Sequence, residues 1–99
     1  MTINKIQEDG KVTLSLQGRL DTTTAPQFQA AFIPVFDETQ EIKLDFTELE
    51  YISSAGLRVL LIGIKTAKSK NTAMTVSGVS QEIMQVLQMT GFADMLTIV

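Results

Sequence analysis

The chain has neither cysteine nor histidine. Without cysteine there is no disulfide, no catalytic thiol and no thiolate-bound metal. Without histidine it lacks the usual general base near neutral pH and the commonest zinc ligand, and a Ser-His-Asp triad cannot be assembled. Basic charge is also scarce. Eight Lys and Arg against eleven Asp and Glu give a formal net charge of −3, so no positive field draws nucleic acid or anionic lipid. A single tyrosine and no tryptophan leave base stacking unsupported. Gly56, Gly63 and Gly78 form neither a dinucleotide-binding nor a Walker pattern, so no cofactor is expected. No apolar run approaches the roughly 18 residues that a membrane helix needs, and MTINKIQEDG has no apolar leader segment. These absences together predict a cytoplasmic protein that is not an enzyme, holds no metal, and touches neither nucleic acid nor membrane.

What remains is the composition of a folded domain. The chain has 99 residues, 44% of them hydrophobic. That length suits one domain over residues 1–99, burying about 60–65% of the surface its unfolded form exposes. Residues 2–8 and 11–17 read as two strands around Asp9-Gly10, a tight-hairpin signal. Ile3 and Ile6 break the alternation of the first, which reads as an edge or bulged strand. Val12, Leu14 and Leu16 share one face of the second. Thr24 with Gln27 fits a capping box, and Phe28, Ala31, Phe32, Val35 and Phe36 follow helical spacing until Pro34 kinks or stops the helix.

Residues 41–46 alternate as a third strand, followed by an acidic loop at Thr47–Glu50. A second helix runs from about Ala55 to Lys68 with Leu57, Leu60, Leu61, Ile64 and Ala67 inward. Val59 and Ile62 lie off that face as surplus apolar surface. Ala73–Ser77 reads as a strand, and Ser80 as the N-cap of a third helix ending at Gly91, with Phe92 packing back on Leu87. Met84, Met89 and Met95 read as core filler, and Leu96 and Ile98 as a last short strand. The order β-β-α-β-α-β-α-β predicts an α/β fold with a mixed sheet and helices mainly on one face.

Ser53-Ser54-Ala55-Gly56 carries the most chemistry. At its simplest a serine caps the second helix and Gly56 permits close packing. A phosphate on such a serine would also meet the free N–H groups and positive dipole end of the helix. That position stabilises an anion by about 0.3–2 kcal/mol, so phosphorylation should leave the fold intact. Forcing the same charge into a dry interface costs several kcal/mol, enough to switch binding off. The surplus apolar residues, with Leu57 and Arg58, are candidates for that interface. Asp21 comes near the serine pair if the two loops open at one sheet edge. Glu48 and Glu50 read as a solvated loop.

At Gly18-Arg19-Leu20-Asp21, Ile42–Phe46, Leu49–Leu60 and Val86–Phe92 the chain resembles the STAS family of bacterial anti-sigma factor antagonists. The resemblance implies a partner-switching role. The unmodified antagonist binds an anti-sigma serine kinase, phosphorylation by that kinase releases it, and a serine phosphatase resets it. The family's phosphoserine falls on Ser54 and its acidic loop residue on Asp21, with Ser53, Ala55, Gly56, Leu57 and Arg58 in the surrounding partner contact. Where members often carry Asp-Ser-Ser-Gly, this chain has Ser53-Ser54-Ala55-Gly56, which makes Ser53 a second possible acceptor. Members without the phosphoswitch imply an alternative, a sensory domain that binds a small ligand or lipid on the apolar helix surface.

Overall fold

The computed structural model describes residues 1–99. Its sheet is built by strands β1 (Thr2–Glu8), β2 (Lys11–Leu20), β3 (Glu41–Ile52) and β4 (Ala73–Ser77), ordered β1-β2-β3-β4. β1 and β2 pair antiparallel through the expected hairpin, whose Asp9 and Gly10 both take positive φ (48° and 77°), as a primed turn requires. β2–β3 and β3–β4 are parallel, so the sheet is mixed. β1 is an edge strand in unbroken register; the irregularities fall instead between β2 and β3, beside Ser15–Gln17 and Gly18–Arg19.

Register explains where the core sits. Val12 is paired with Ile42, and Leu14 with Leu44, which pairs in turn with Val76, so one sheet face is a continuous apolar layer. All five are fully buried. The opposite face carries Thr13, Ser15, Lys43, Asp45 and Thr75, each half-buried. There Asp45 accepts hydrogen bonds from the Thr47 amide at 3.0 Å and hydroxyl at 2.5 Å. These donors, the hydroxyl first, hold its carboxyl below the usual range.

Helices α1 (Ala25–Phe32), α2 (Ser54–Lys70) and α3 (Gln81–Met89) and the one-turn α4 (Phe92–Met95) complete the chain. Pro34 ends α1, and the chain continues as a 3-10 turn over Ile33–Asp37. Phe28, Phe32 and Phe36 form an aromatic ladder, with centroid separations of 4.9 Å and 5.2 Å. This ladder meets α2 at Gly63, where a Cβ would lie 2.3 Å from the Phe32 ring. Val59, one turn earlier on α2, is buried (3% exposed) rather than surplus. Leu61 and Ile62 remain half-buried.

Other departures have local causes. β3 continues through Thr47–Glu50, expected as a loop, because the irregularities in its pairing with β2 absorb the break in alternation. The Thr24–Gln27 box does not form, since Gln27 Nε2 donates to the Met1 carbonyl. Asp21 and Thr24 form one instead: the Thr24 amide donates to Asp21 Oδ1 at 3.1 Å, and the Asp21 amide to Thr24 Oγ1 at 2.9 Å. Leu96–Ile98 adds only a single parallel bridge, Ile98 to Val76, after α4. Met89 and Met95 are exposed (86% and 47%), not core filler: they are the last residues of α3 and of the one-turn α4 and lie on the outer surface. The Ser80 cap is present, its Oγ accepting from the Ile83 amide at 3.2 Å, and Gly91 is left-handed as a helix stop.

Candidate functional site

The parallel strands β2 and β3 run out together, Leu20 beside Ile52. One more rung joins them, the Ser53 amide donating to the Leu20 carbonyl at 2.9 Å. The turn that starts at Asp21 and the start of α2 are thereby fixed side by side at one sheet edge. Gly56 tightens the junction. A Cβ there would lie 2.6 Å from Leu20 Cγ and 3.0 Å from Ile52 Cγ1, so only glycine lets α2 begin this close to the strand ends.

Asp21 is ordered by its neighbours. Its Oδ1 accepts from the Thr23 and Thr24 amides at 3.0 and 3.1 Å, and Arg19 Nε stands 3.9 Å from Oδ2. The Thr24 amide first, and the Arg19 charge among the lesser causes, hold its carboxyl below the usual range. The Arg19 guanidinium also lies over the Tyr51 ring, 4.1 Å from its centroid. Arg19 and Tyr51 were not singled out by sequence reasoning. Their sequence signal is their place within Gly18-Arg19-Leu20-Asp21 and Leu49–Leu60, two residues before Asp21 and Ser53.

The two serines differ. Ser53 is the N-cap residue of α2 with extended backbone (φ −104°, ψ 177°), yet its side chain does not cap. Its Oγ is closed to solvent and has no hydrogen-bond partner. Ser54, the first residue of the helix, is exposed. The first N–H groups of α2 have no intrahelical carbonyl to reach, and the Ser53 side chain does not satisfy them. The positive dipole end of α2 and its first-turn donors therefore lie beside the Ser54 hydroxyl.

Of the remaining expected contact residues, Ala55 is half-buried and Arg58 exposed. Gly56 and Leu57 lie inside the fold, Leu57 at 8% exposure, because that side of α2 packs on the strand ends. Glu48 and Glu50 are exposed on β3. No group of three or more acidic side chains suited to a metal ion occurs. No helix is long and apolar enough to cross a membrane.

The STAS domain model matches residues 2–99, and the chain belongs to the STAS domain family. It is 31% identical over 93 residues to BtrV of Bordetella bronchiseptica, named as a candidate anti-sigma factor antagonist, covering 93% of this chain and 78% of that one. The fold matches an anti-sigma factor antagonist from Mycobacterium paratuberculosis with a TM-score of 0.85 at 24% identity, covering 98% and 83% of the two chains. It also matches the anti-sigma factor antagonist SpoIIAA in its unphosphorylated form, with a TM-score of 0.83 at 17% identity over 99% and 88%. The phosphorylated form of SpoIIAA, from Bacillus, matches at 0.77 with 17% identity, over 99% and 91%.

Proposed function

We propose that this chain is an anti-sigma factor antagonist working as a phosphorylation-controlled partner switch. It binds an anti-sigma serine kinase while Ser54 is unmodified and leaves it once Ser54 carries phosphate; a serine phosphatase restores the first state. The observation that carries this reading is the contrast at the start of α2, where Ser54 is open to solvent beside uncapped helix donors while the Ser53 oxygen is closed off. That contrast favours Ser54 over Ser53 as the acceptor.

Asp21, Ala55 and Arg58 supply outward contacts for the kinase, whereas Ser53, Gly56 and Leu57 act from beneath by seating the helix. The chain contributes no catalysis of its own and works in the cytoplasm. Supporting the reading, the relatives are named as anti-sigma factor antagonists, and SpoIIAA is described both with and without phosphate. The switch acts through charge at an interface, because phosphate at a helix N-terminus does not oppose its own fold.

The test is phosphate transfer. Incubation with ATP and the anti-sigma serine kinase of the same organism should add one phosphate by intact mass. Ser54→Ala should abolish the addition and Ser53→Ala should retain it. Phosphate that persists in Ser54→Ala would overturn the assignment.

A further inference from the structure

Arg58 lies one helical turn beyond Ser54 on α2, and both residues are exposed. Positions i and i+4 of a helix are surface neighbours, with Cβ atoms about 5–6 Å apart. The favourable orientation places the anion N-terminal to the cation, as a phosphate on Ser54 would be to Arg58.

Arg58 is also uncommitted. It takes part in none of the chain's ion pairs and donates no hydrogen bond. The other charged groups at this edge do not compete for a phosphate. Arg19 is engaged by Asp21 and stacked on Tyr51, while Asp21, Glu48 and Glu50 are acidic. The next cation along α2, Lys65, is eleven residues beyond Ser54, about 16 Å along the axis.

We infer that Arg58 is the intramolecular counter-ion of phosphorylated Ser54, closing a bidentate pair over the first turn of α2. A guanidinium matches phosphate oxygens in a way that an ammonium does not. The unmodified protein then presents a free cation beside Ser54. The phosphorylated protein presents a bound anion whose charge is partly met from within, so one modification both adds negative charge and withdraws a positive one from the partner. This inference rests on Ser54 being the modified residue.

The test uses phosphoserine placed at position 54 during translation by codon suppression, which requires no kinase. The pH midpoint of its second ionisation is then read by phosphorus NMR. An adjacent guanidinium favours the dianion, so the midpoint should rise by about half a pH unit in Arg58→Gln. Arg58→Lys should recover part of the difference, and raised salt should shrink it. A general structural role for Arg58 would not move the phosphate's own titration. Equal midpoints in wild type and Arg58→Gln overturn the counter-ion and leave the switch itself standing. Conversely, a kinase that fails to modify Ser54 removes the switch while the titration still reports on the pair.

Discussion

Gly56→Ala tests how tightly the Asp21 turn and the start of α2 are held together. The added methyl would lie 2.6 Å from Leu20 Cγ, 2.8 Å from Leu20 Cδ2 and 3.0 Å from Ile52 Cγ1. Leu20 is fully buried and Ile52 is 4% exposed, so neither has open space to move into. Overpacking of this kind costs about 1–3 kcal/mol. Replacing glycine by alanine in a helix returns about 1 kcal/mol, leaving a net loss of up to about 2 kcal/mol. For a domain of this size that lowers Tm by up to roughly 15 °C. Urea unfolding should show a lower midpoint at unchanged slope.

Gly63→Ala, which meets the Phe32 ring at 2.3 Å, should lose stability as well, but at a place remote from the serine. Kinase affinity should therefore fall further in Gly56→Ala than in Gly63→Ala when both are measured where they are fully folded. Gly56→Ala more stable than the wild type would refute the reasoning, since Leu20 and Ile52 would then be making room at no cost.

Three further outcomes follow from the same geometry. Ser53→Ala should be neutral or slightly stabilising in urea unfolding, because it removes a closed-off hydroxyl without a partner, while Ser80→Ala should lose about 1 kcal/mol with its working cap. Ser54→Asp should keep the wild-type circular dichroism spectrum, gain a few tenths of a kcal/mol from the dipole, and bind the kinase at least tenfold more weakly. Asp45 has a depressed carboxyl pKa, so its contribution to stability is present above the unfolded value near 3.9 and is lost as pH falls through the folded one. Acid unfolding of Asp45→Asn should accordingly depend less steeply on pH below about pH 4 than that of the wild type.

Much of this arrangement was legible in residue patterns whose causes are local. Asp9-Gly10, Pro34, Ser80 and Gly91 each dictate backbone geometry within a few residues, and each does what its chemistry requires. Alternation in β2 and early β3 identified the buried sheet face, because period two survives wherever pairing is regular. Beyond Phe46 the irregular register replaces that period, with Leu49 and Ile52 buried three apart, so the strand reads as a loop. The capping box was misplaced because Thr24 suits either end of such a motif. Only the hydrogen bonds show that Asp21 is its other member.

The candidate site divides the same way. Ser54, Asp21 and Arg58 could be named from sequence, and the strand pairing brings Asp21 to the serines. The closed environment of the Ser53 oxygen, the stacking of Arg19 on Tyr51 and the close approach of Phe32 to Gly63 depend on distant segments, which no local pattern encodes.

The most direct measurement of the central claim is calorimetric titration of the anti-sigma serine kinase with this chain, unmodified and with phosphoserine at position 54. The account predicts that phosphorylation weakens binding by about a hundredfold or more while the circular dichroism spectrum is unchanged. Equal affinity of the two forms would contradict it.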